Sequence, residues 1–463
     1  DRGFGHMVRL EERPSASPLA LKSPVSQQRA LVQLTECPQD ELLLLLRELK
    51  VQRWERCVAT NWHPVLNRFD DLLAAFADPQ RRTQPNAPSE ALVCEVLRVL
   101  HEVVFLHQEL KGAVDRLRDL LECSELPVLL GALRCLAACP PSRHLQSGPR
   151  AFAVERRLQV LSCAGVPCVL GTASFQQACC ASEGFDHDFV FEPPYDAAAP
   201  AGPSVFKVPI SEASTAPEVL LEQLQAAHDM TPALAPALLL QLRLWCRARS
   251  LEGRREVVAI SLLAICNGVK HVGPGVLQQH LQKRPGLLSE LRDLLQSLQA
   301  VGPDASVAAL RATGAILDSR FGQSRSEASQ LSQMLGLSVP HGILACALRG
   351  LLSHNPTPSQ LEEHNKVLLA ALDLFQITTV SNHQTTAQLG HAGMILAMLE
   401  LMQNTDVHSL PAVSAMLRCL ELAAEVSGTA ALVLFREFNG LQAFSLRLQR
   451  EVDLLMALDF RGD

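Results

Sequence analysis

The strongest constraint on the fold is an apolar helical stripe that follows a glycine late in the chain. In residues 390–403, Gly393 precedes a segment whose apolar residues share one helical face, namely Ile395, Leu396, Leu399 and Met402. Gly393 has the backbone freedom that a sharp turn between two helices requires. The pattern therefore predicts helices that meet at a tight turn and leave an apolar face for a further helix to cover.

The same pattern returns farther along the chain. Asn439 and Gly440 precede a second apolar set, formed by Leu441, Phe444, Leu448 and Val452. The spacing from Gly393 to Gly440 falls within the roughly 40 to 47 residues of armadillo and HEAT repeats. Because such repeats bury their apolar faces on one another, the spacing predicts a stacked α-solenoid.

Composition favours helices throughout, with one exception. Aromatic residues make up 4% of the 463 residues, so material typical of sheets is scarce. In residues 187–210, however, the Phe- and Val-rich runs DFVFEP and SVFKVPI flank a loop rich in Pro and Ala. We therefore expect an all-α fold, an armadillo/HEAT-like α-solenoid, with a small two-stranded β-hairpin insert that packs on it.

The sequence divides into four expected segments. Residues 1–26 mix charge, Pro and Ser and are expected to form a disordered tail. Residues 27–186 are expected to form N-terminal helical repeats, residues 187–211 the β-hairpin insert, and residues 212–463 C-terminal armadillo-like repeats. The tail lacks the apolar core of a signal peptide. We interpret the sequence as an excised fragment whose solenoid continues beyond Asp463.

Local signals mark several boundaries within these segments. Ser89 is a suitable N-cap for a long helix that extends to residue 110, and Gly302 with Pro303 breaks the chain ahead of a helix expected over residues 305–317. Trp54 and Trp62 are expected to anchor a loop and a short helix in the core rather than to form a binding cage.

Charge and cysteine usage limit the classes of partner. The net charge of −7 argues against binding of nucleic acid or of an anionic membrane through positive charge spread over the whole chain. The apolar runs at residues 238–246 and 257–266 are shorter than the ~20 residues of a membrane span. The fourteen cysteines lie mostly in apolar helical runs, without the framework of a secreted disulfide domain. These features predict a reducing, intracellular compartment.

Candidate metal ligands cluster in one stretch, but their spacing is unlike that of a zinc site. They are Cys163, Cys168, Cys179, Cys180 and His187. Zinc sites normally use paired CxxC knuckles, which are missing here, so we favour a structural role. Cys135 and Cys139 lie four residues apart on an apolar helix, where small thiols commonly fill the core.

Catalytic motifs are also missing from the sequence. No Gly-rich phosphate loop, HExxH or GxSxG pattern occurs. A nucleophilic cysteine needs a positioned base, and nothing in the sequence places His101, His107 or His187 beside one. We therefore assign no catalytic, cofactor-binding or metal-binding residue and expect no cofactor, and the sequence alone does not identify substrate-binding residues.

The densest basic segment is RLWCRARSLEGRR, with Arg243, Arg247, Arg249, Arg254 and Arg255. Arg243 and Arg247 share a helix face, from which two guanidinium groups can clamp an acidic partner. A solvated helix end is the alternative, and we favour it. The RGD sequence at residues 461–463 is not interpreted as an adhesion motif.

Several distinctive blocks occur in one order along the chain. They are Cys37-Pro38, Trp54-Glu55, Trp62-His63-Pro64, Phe69-Asp70 with Leu73, then DFVFEP, VFKVPISE, QLRLWCRARSLEGRREVVAISLLAI, ALRATGAILDSR and GLQAFSLRLQREVD. This order resembles the N-terminal region of the giant HECT-type ubiquitin ligases, the Mule-like group with fungal and plant relatives. The resemblance spans roughly residues 28–455. The segment between Trp54 and Trp62 is shorter than that of the family, and the hairpin loop is individual to this chain.

The resemblance implies a non-catalytic, substrate-recruiting scaffold of an E3 ubiquitin-protein ligase. In such ligases a distant C-terminal HECT domain carries the thioester cysteine, and none of the fourteen cysteines here matches that active site. The implied partners are protein substrates, with E2-ubiquitin bound only through the absent HECT domain, and neither membrane nor nucleic acid. The implied location is cytoplasmic and nuclear.

Two other classes of function remain open at this point. One is a free-standing armadillo-type protein-interaction scaffold or transport adaptor unrelated to ubiquitin, which would show the same periodicity. The other is an enzyme or metalloprotein that uses the cluster from Cys163 to His187.

Overall fold

The computed structural model describes residues 24–49, 62–106, 113–139, 149–162, 187–191, 204–208, 216–227, 234–248, 250–273, 275–318, 325–337, 341–354, 356–357, 359–381, 398–399, 402, 410–426, 436 and 439–457. These residues are almost entirely helical and belong to two compact units, Asp1–Cys139 and Pro140–Asp463. None of the described helices is both long enough and apolar enough to cross a lipid bilayer.

The described part of the first unit forms seven helices: α1 (Pro24–Glu36), α2 (Gln39–Glu48), α3 (His63–Ala77), α4 (Pro79–Arg82), α5 (Glu90–Leu106), α6 (Ala113–Leu120) and α7 (Leu126–Ala138). Helix α5 packs against α2, α3 and α7, and α3 packs against α1 and α6. The buried aromatic residues Trp62, Phe69 and Phe76 fill the space around α3. Trp62 therefore anchors the core as expected, while Trp54 lies outside the described residues.

Two boundaries in the first unit bear on the sequence predictions. Ser89 caps α5, since its hydroxyl accepts a 3.2 Å hydrogen bond from the Leu92 amide, and this confirms the predicted N-cap. Helix α1 begins at Pro24, inside the stretch expected to be disordered. Proline suits the first turn of a helix, because the amide that it lacks would have no helical partner there.

Within the described residues of the second unit there are thirteen further helices and two strands. They are α8 (Pro149–Ser162), β1 (His187–Phe191), β2 (Ser204–Val208), α9 (Pro217–Ala227), α10 (Ala235–Arg247), α11 (Leu251–Asn267), α12 (Gly275–Lys283), α13 (Leu287–Gln296), α14 (Leu298–Val301), α15 (Pro303–Leu317), α16 (Arg325–Leu335), α17 (Ile343–Ser353), α18 (Leu361–Ser381), α19 (Leu410–Val426) and α20 (Gly440–Ala457). A five-residue π-helical segment, Gly268–Val272, extends α11.

Five helices of the second unit pack side by side in one row, in the order α8, α11, α15, α18 and α19. Helices α10, α13 and α17 lie against this row. The row is close-packed because α15 presents small residues to its neighbours, and a Cβ added at Gly314 would lie 3.1 Å from Cδ1 of Ile377 in α18. This serial packing is consistent with an α-solenoid.

The two short strands pair in antiparallel register, with Phe189 opposite Phe206. Phe191 and Phe206 lie in an apolar cluster with Leu238 and Trp245 of α10. The strands therefore pack on helices of the second unit. The Pro- and Ala-rich loop that joins them lies outside the described residues.

The sequence analysis placed three helix boundaries at glycine residues, and two of them can be compared with the structure. Gly393 lies outside the described residues. Asn439 and Gly440, which the sequence placed ahead of the second apolar set, come directly before and at the start of α20, and Asn439 is left-handed with φ of 51°; asparagine tolerates this conformation better than most residues. Gly302 has φ of 97° and lies directly before Pro303, the first residue of α15. The helix break predicted at that position is confirmed.

Candidate protein-interaction surface

The basic segment of residues 243–255 is bonded within the second unit. Arg243 donates to Glu218 at 3.0 Å, and Arg247 donates to Glu256 at 2.7 Å. The hydrogen bond from Arg243 is the largest effect on the Glu218 carboxyl and lowers its pKa, while the bond to Glu256 raises the pKa of Arg247. The two arginines thus form internal ion pairs, which explains their spacing without an acidic partner.

The remaining described arginines of this segment bond to helix ends. Arg254 donates to the Ala248 carbonyl at 3.1 Å, just beyond α10, and Arg255 donates to the Ala300 carbonyl at 3.0 Å, in α14. Arg249 lies outside the described residues. The segment is therefore a bonded helix junction, more constrained than the solvated helix end that the sequence favoured.

Arginine capping of carbonyl groups recurs in both units. In the first, Arg68 donates to the Leu34 carbonyl at 2.7 Å, and Arg98 donates to the Leu49 carbonyl at 3.3 Å. In the second, Arg284 donates to the Ser162 carbonyl at 2.9 Å, at the end of α8. The last carbonyls of a helix lack helical donors and carry partial negative charge. A guanidinium supplies the missing hydrogen-bond donors and a positive charge that interacts favourably with the helix dipole. These arginines act in folding.

The described cysteines lie mainly in the core. Cys135 and Cys139 are buried, as the sequence predicted. Burial raises the pKa of the Cys266 thiol, and burial together with Asp373 raises that of Cys419 to about 12. Since the thiolate is the reactive form, these two thiols are unsuited to nucleophilic catalysis.

The candidate metal cluster falls mostly outside the described part of the chain. Cys163, Cys168, Cys179 and Cys180 are not described, and His187 is the first residue of β1. Among the residues that the structure describes, no group of three or more His, Cys, Asp or Glu side chains is arranged to hold a metal ion. Of the two other histidines considered, His101 is half-buried in α5 and His107 is not described.

The helix row exposes a line of charged side chains that sequence reasoning missed. We call it the charged strip, and it consists of Lys270, Arg311, Asp373 and Arg418. Lys270 follows α11, and the other three lie on α15, α18 and α19. Asp373 and Arg418 are exposed, whereas Lys270 and Arg311 are half-buried.

Electrostatic effects link the members of the charged strip at two points along the row. Lys270 and Arg311 both act on the thiol of Cys266, and Arg311 and Arg418 both act on the carboxyl of Asp373. Surrounding protein nevertheless raises the pKa of Asp373, because crowding removes part of its hydration despite its exposure. The strip carries three positive charges against one negative charge, in a chain of net charge −7.

A sequence signal for the charged strip exists in retrospect. Arg311, Asp373 and Arg418 each follow a leucine and interrupt an apolar helical run, as in ALRATGAIL, ALDLF and MLRCL. A charge inside an apolar run marks the point at which a buried helix reaches solvent. The sequence did not show that the three points lie on neighbouring helices.

The last described helix has its apolar residues on the outside. Leu441 and Leu448 are 68% and 67% exposed, and Val452 and Met456 share their face. The opposite face carries Arg447, which donates to the Met402 carbonyl at 3.0 Å. The apolar set that the sequence assigned to a repeat core is therefore largely uncovered among the described residues, and only Phe444 of that set is half-buried.

The chain is similar to very large E3 ubiquitin ligases. The E3 ubiquitin-protein ligase HUWE1 of mouse and that of rat are each 24% identical over 493 aligned positions, which cover 96% of this chain and 10% of the ligase. The Arabidopsis E3 ubiquitin-protein ligase UPL2 is 28% identical over 261 positions, covering 55% of this chain and 7% of the ligase. The chain thus spans about a tenth of the length of these relatives.

No family model matches the chain. Two crystal structures of engineered proteins align with TM-scores of 0.27 and 0.25, at 16% and 13% identity. They cover 76% and 94% of this chain and 97% and 95% of their own. Scores this low carry no argument about the fold.

Proposed function

We propose that this chain is the non-catalytic, substrate-recruiting solenoid of a HECT-type E3 ubiquitin-protein ligase. The observation that carries the proposal is the similarity to HUWE1 over 96% of the chain. The chain holds protein substrates so that a distant C-terminal HECT domain transfers ubiquitin to them. Its fold is an armadillo-like row of helix repeats with a small β-hairpin insert, and it corresponds to the N-terminal region of the ligase.

The physical contribution of such a solenoid is proximity. A substrate held on the helix row meets the ubiquitin thioester at a raised effective concentration, so transfer becomes faster without any new chemistry.

The remaining parts of the proposal follow from the same assignment. The partners are protein substrates, E2-ubiquitin binds only through the HECT domain, and the protein is cytoplasmic and nuclear. No cofactor takes part. A further repeat follows α20, and support for it comes from the exposed apolar face at Leu441 and Leu448, which a following helix would cover.

The test compares the full-length protein that carries this chain with a variant that lacks residues 24–457. We expect both proteins to form a thioester with ubiquitin from a charged E2, whereas ubiquitin transfer to cellular proteins falls in the deletion variant. The readouts are a thiol-sensitive ubiquitin adduct on a gel and ubiquitin-remnant mass spectrometry.

Two results would contradict the proposal in different ways. If the full-length protein forms no ubiquitin thioester, the chain belongs to a free-standing scaffold or transport adaptor. If the deletion leaves the substrate profile unchanged while thioester formation persists, the chain does not recruit substrates.

A further inference from the structure

Two histidines meet where α17 ends and α18 begins. His354 is the C-cap residue of α17, and His364 lies in the first turn of α18. The centroids of their rings are 5.5 Å apart, and the ring planes are tilted by 42°. The pair therefore links two consecutive helices of the second unit through side chains that are common metal ligands.

One backbone carbonyl positions both residues. The Leu351 carbonyl accepts a 3.3 Å hydrogen bond from the His354 amide, and the ring of His364 also donates a hydrogen bond to it. When a histidine donates one ring N–H to a carbonyl, its tautomer and ring orientation are fixed, and the other ring nitrogen presents a lone pair. Metal-ligating histidines are typically held in this way.

The environment of His364 favours the neutral ring. Burial and the charge of His354 lower the pKa of His364, while the hydrogen bond to Leu351 opposes them. Neutral imidazole is the form that binds a metal ion, so His364 is available as a ligand at neutral pH.

The separation of the two rings matches that of two histidines on one tetrahedral ion. A Zn–N bond of about 2.1 Å, with roughly 1.1 Å from the nitrogen to the ring centroid, places each centroid about 3.2 Å from the ion. At a tetrahedral angle of about 109° two such centroids are about 5.2 Å apart, close to the 5.5 Å observed. His354 is exposed, so its side chain can rotate to direct a ring nitrogen at an ion bound by His364.

We propose that His354 and His364 together bind a divalent transition-metal ion, Zn²⁺, which ties the end of α17 to the start of α18. Imidazole nitrogen is a preferred ligand of zinc, and two protein ligands leave two of four positions for water. The site therefore needs no third side chain. This agrees with the finding that no group of three or more His, Cys, Asp or Glu among the described residues is arranged to hold a metal ion.

The charges around the pair largely compensate one another. The C-terminal end of α17 attracts a cation at His354, whereas the N-terminal end of α18 repels one at His364. Glu362 and Glu363 are exposed in the first turn of α18 and offset part of that repulsion. Glu362 is paired with Lys366 at 3.0 Å, so Glu363 contributes more of this compensation.

Hydrogen exchange of the 463-residue chain, read by mass spectrometry, tests the site. A chelator first removes any metal and is dialysed away, and Zn²⁺ is then titrated. An ion that binds only the closed junction slows exchange through opening by a factor of 1 + [Zn²⁺]/Kd, about 100-fold at 100 times Kd. We expect this slowing in peptides that span the end of α17 and the start of α18, and zinc bound by thiols elsewhere would act on other peptides.

Variants locate the site at the two histidines. His354→Gln and His364→Gln should each raise the Kd for zinc at this junction at least about tenfold, which corresponds to about 1.4 kcal/mol. His341→Gln should leave it unchanged. His341 is a matched control, because it is an exposed histidine just before the N-cap residue of α17, at the other end of the same helix.

Three outcomes would overturn the proposal. The first is no zinc-dependent slowing in the peptides that span the junction. The second is equal slowing in wild type and His354→Gln, which decides the matter even if His364→Gln loosens the junction, because His354→Gln leaves the bond from His364 to Leu351 in place. The third is equal slowing by Mg²⁺, which prefers oxygen ligands and would indicate a general effect of dications.

The metal site is independent of the proposed scaffold role. Zinc binding is measured on this chain alone, so its failure would leave the ubiquitin-thioester test unaffected.

Discussion

Replacing Gly131 with alanine tests how closely α7 packs on α5 in the first unit. A Cβ built on Gly131 would lie 2.9 Å from Cδ1 and 3.2 Å from Cβ of Leu97. Leu97 is 1% exposed and cannot swing into solvent. Because non-bonded carbon atoms prefer about 3.5 to 4.0 Å, the helices must separate or Leu97 must leave its rotamer.

Two opposing effects set the size of the change. Alanine in place of a mid-helix glycine stabilises the helix by about 1 kcal/mol, while overpacking a core costs about 1 to 3 kcal/mol. We therefore expect Gly131→Ala to lower the free energy of unfolding by about 1 kcal/mol. Gly350→Ala in α17 is the matched control, because its Cβ would meet no atom within 4 Å, and it should raise that free energy by about 1 kcal/mol.

The assay must report each unit separately, since a chain with two compact units need not unfold in one step. Native-state hydrogen exchange in increasing urea, read by mass spectrometry on peptides of α5, α7 and α17, gives the local opening free energies. In a Leu97→Ala background the clash with Cδ1 is gone and only the 3.2 Å approach to the Cβ of residue 97 remains, so Gly131→Ala should destabilise α7 less there than in the wild-type chain. If Gly131→Ala stabilises the wild-type chain as much as Gly350→Ala does, the close α5 to α7 packing is wrong.

Three further predictions concern single side chains. Arg98→Met should destabilise α2 by about 1 to 2 kcal/mol in the same exchange experiment, because Arg98 donates hydrogen bonds to the Leu46 and Leu49 carbonyls. An unchanged opening free energy of α2 would refute this capping role. The pKa of Asp373 is raised in the folded state, so its ionised form lowers stability above that pKa, and Asp373→Asn should raise the melting temperature at neutral pH. That gain should vanish as the pH falls below about 4, where the carboxyl is protonated in both states, and a pH-independent gain would contradict it. Burial that raises the pKa of Cys419 to about 12 should block its alkylation in the native protein, whereas exposed Cys346 should react, as peptide mass spectrometry can show.

Helix positions were the most predictable part of the structure. The helix expected over residues 305–317 is found at Pro303–Leu317, and the break at Gly302 coincides with a positive φ that suits glycine. Such features depend on residues within a few positions of one another, so periodicity and capping rules capture them. The sequence pointed to Asn439 and Gly440 together at the turn before α20, and the structure shows that Asn439 is the left-handed residue of the two.

The candidate surface was much less predictable. The basic segment around Arg243 and Arg247 attracted attention because its charges are contiguous in sequence, yet its partners Glu218 and Glu256 lie within the same unit. The charged strip was overlooked for the opposite reason. Its members Arg311 and Arg418 are isolated charges in apolar runs, and only the packing of α15, α18 and α19 brings their helices together.

The sequence by itself determined where helices form and which of their faces are apolar, because both depend on local backbone preferences and on the spacing of side chains along one helix. Tertiary structure alone decided which faces are covered. It buried Cys419, exposed Leu448 and placed Lys270 and Arg311, from different helices, near the thiol of Cys266. Burial and electrostatic contact depend on which segments meet in space, and that information is absent from any single helix.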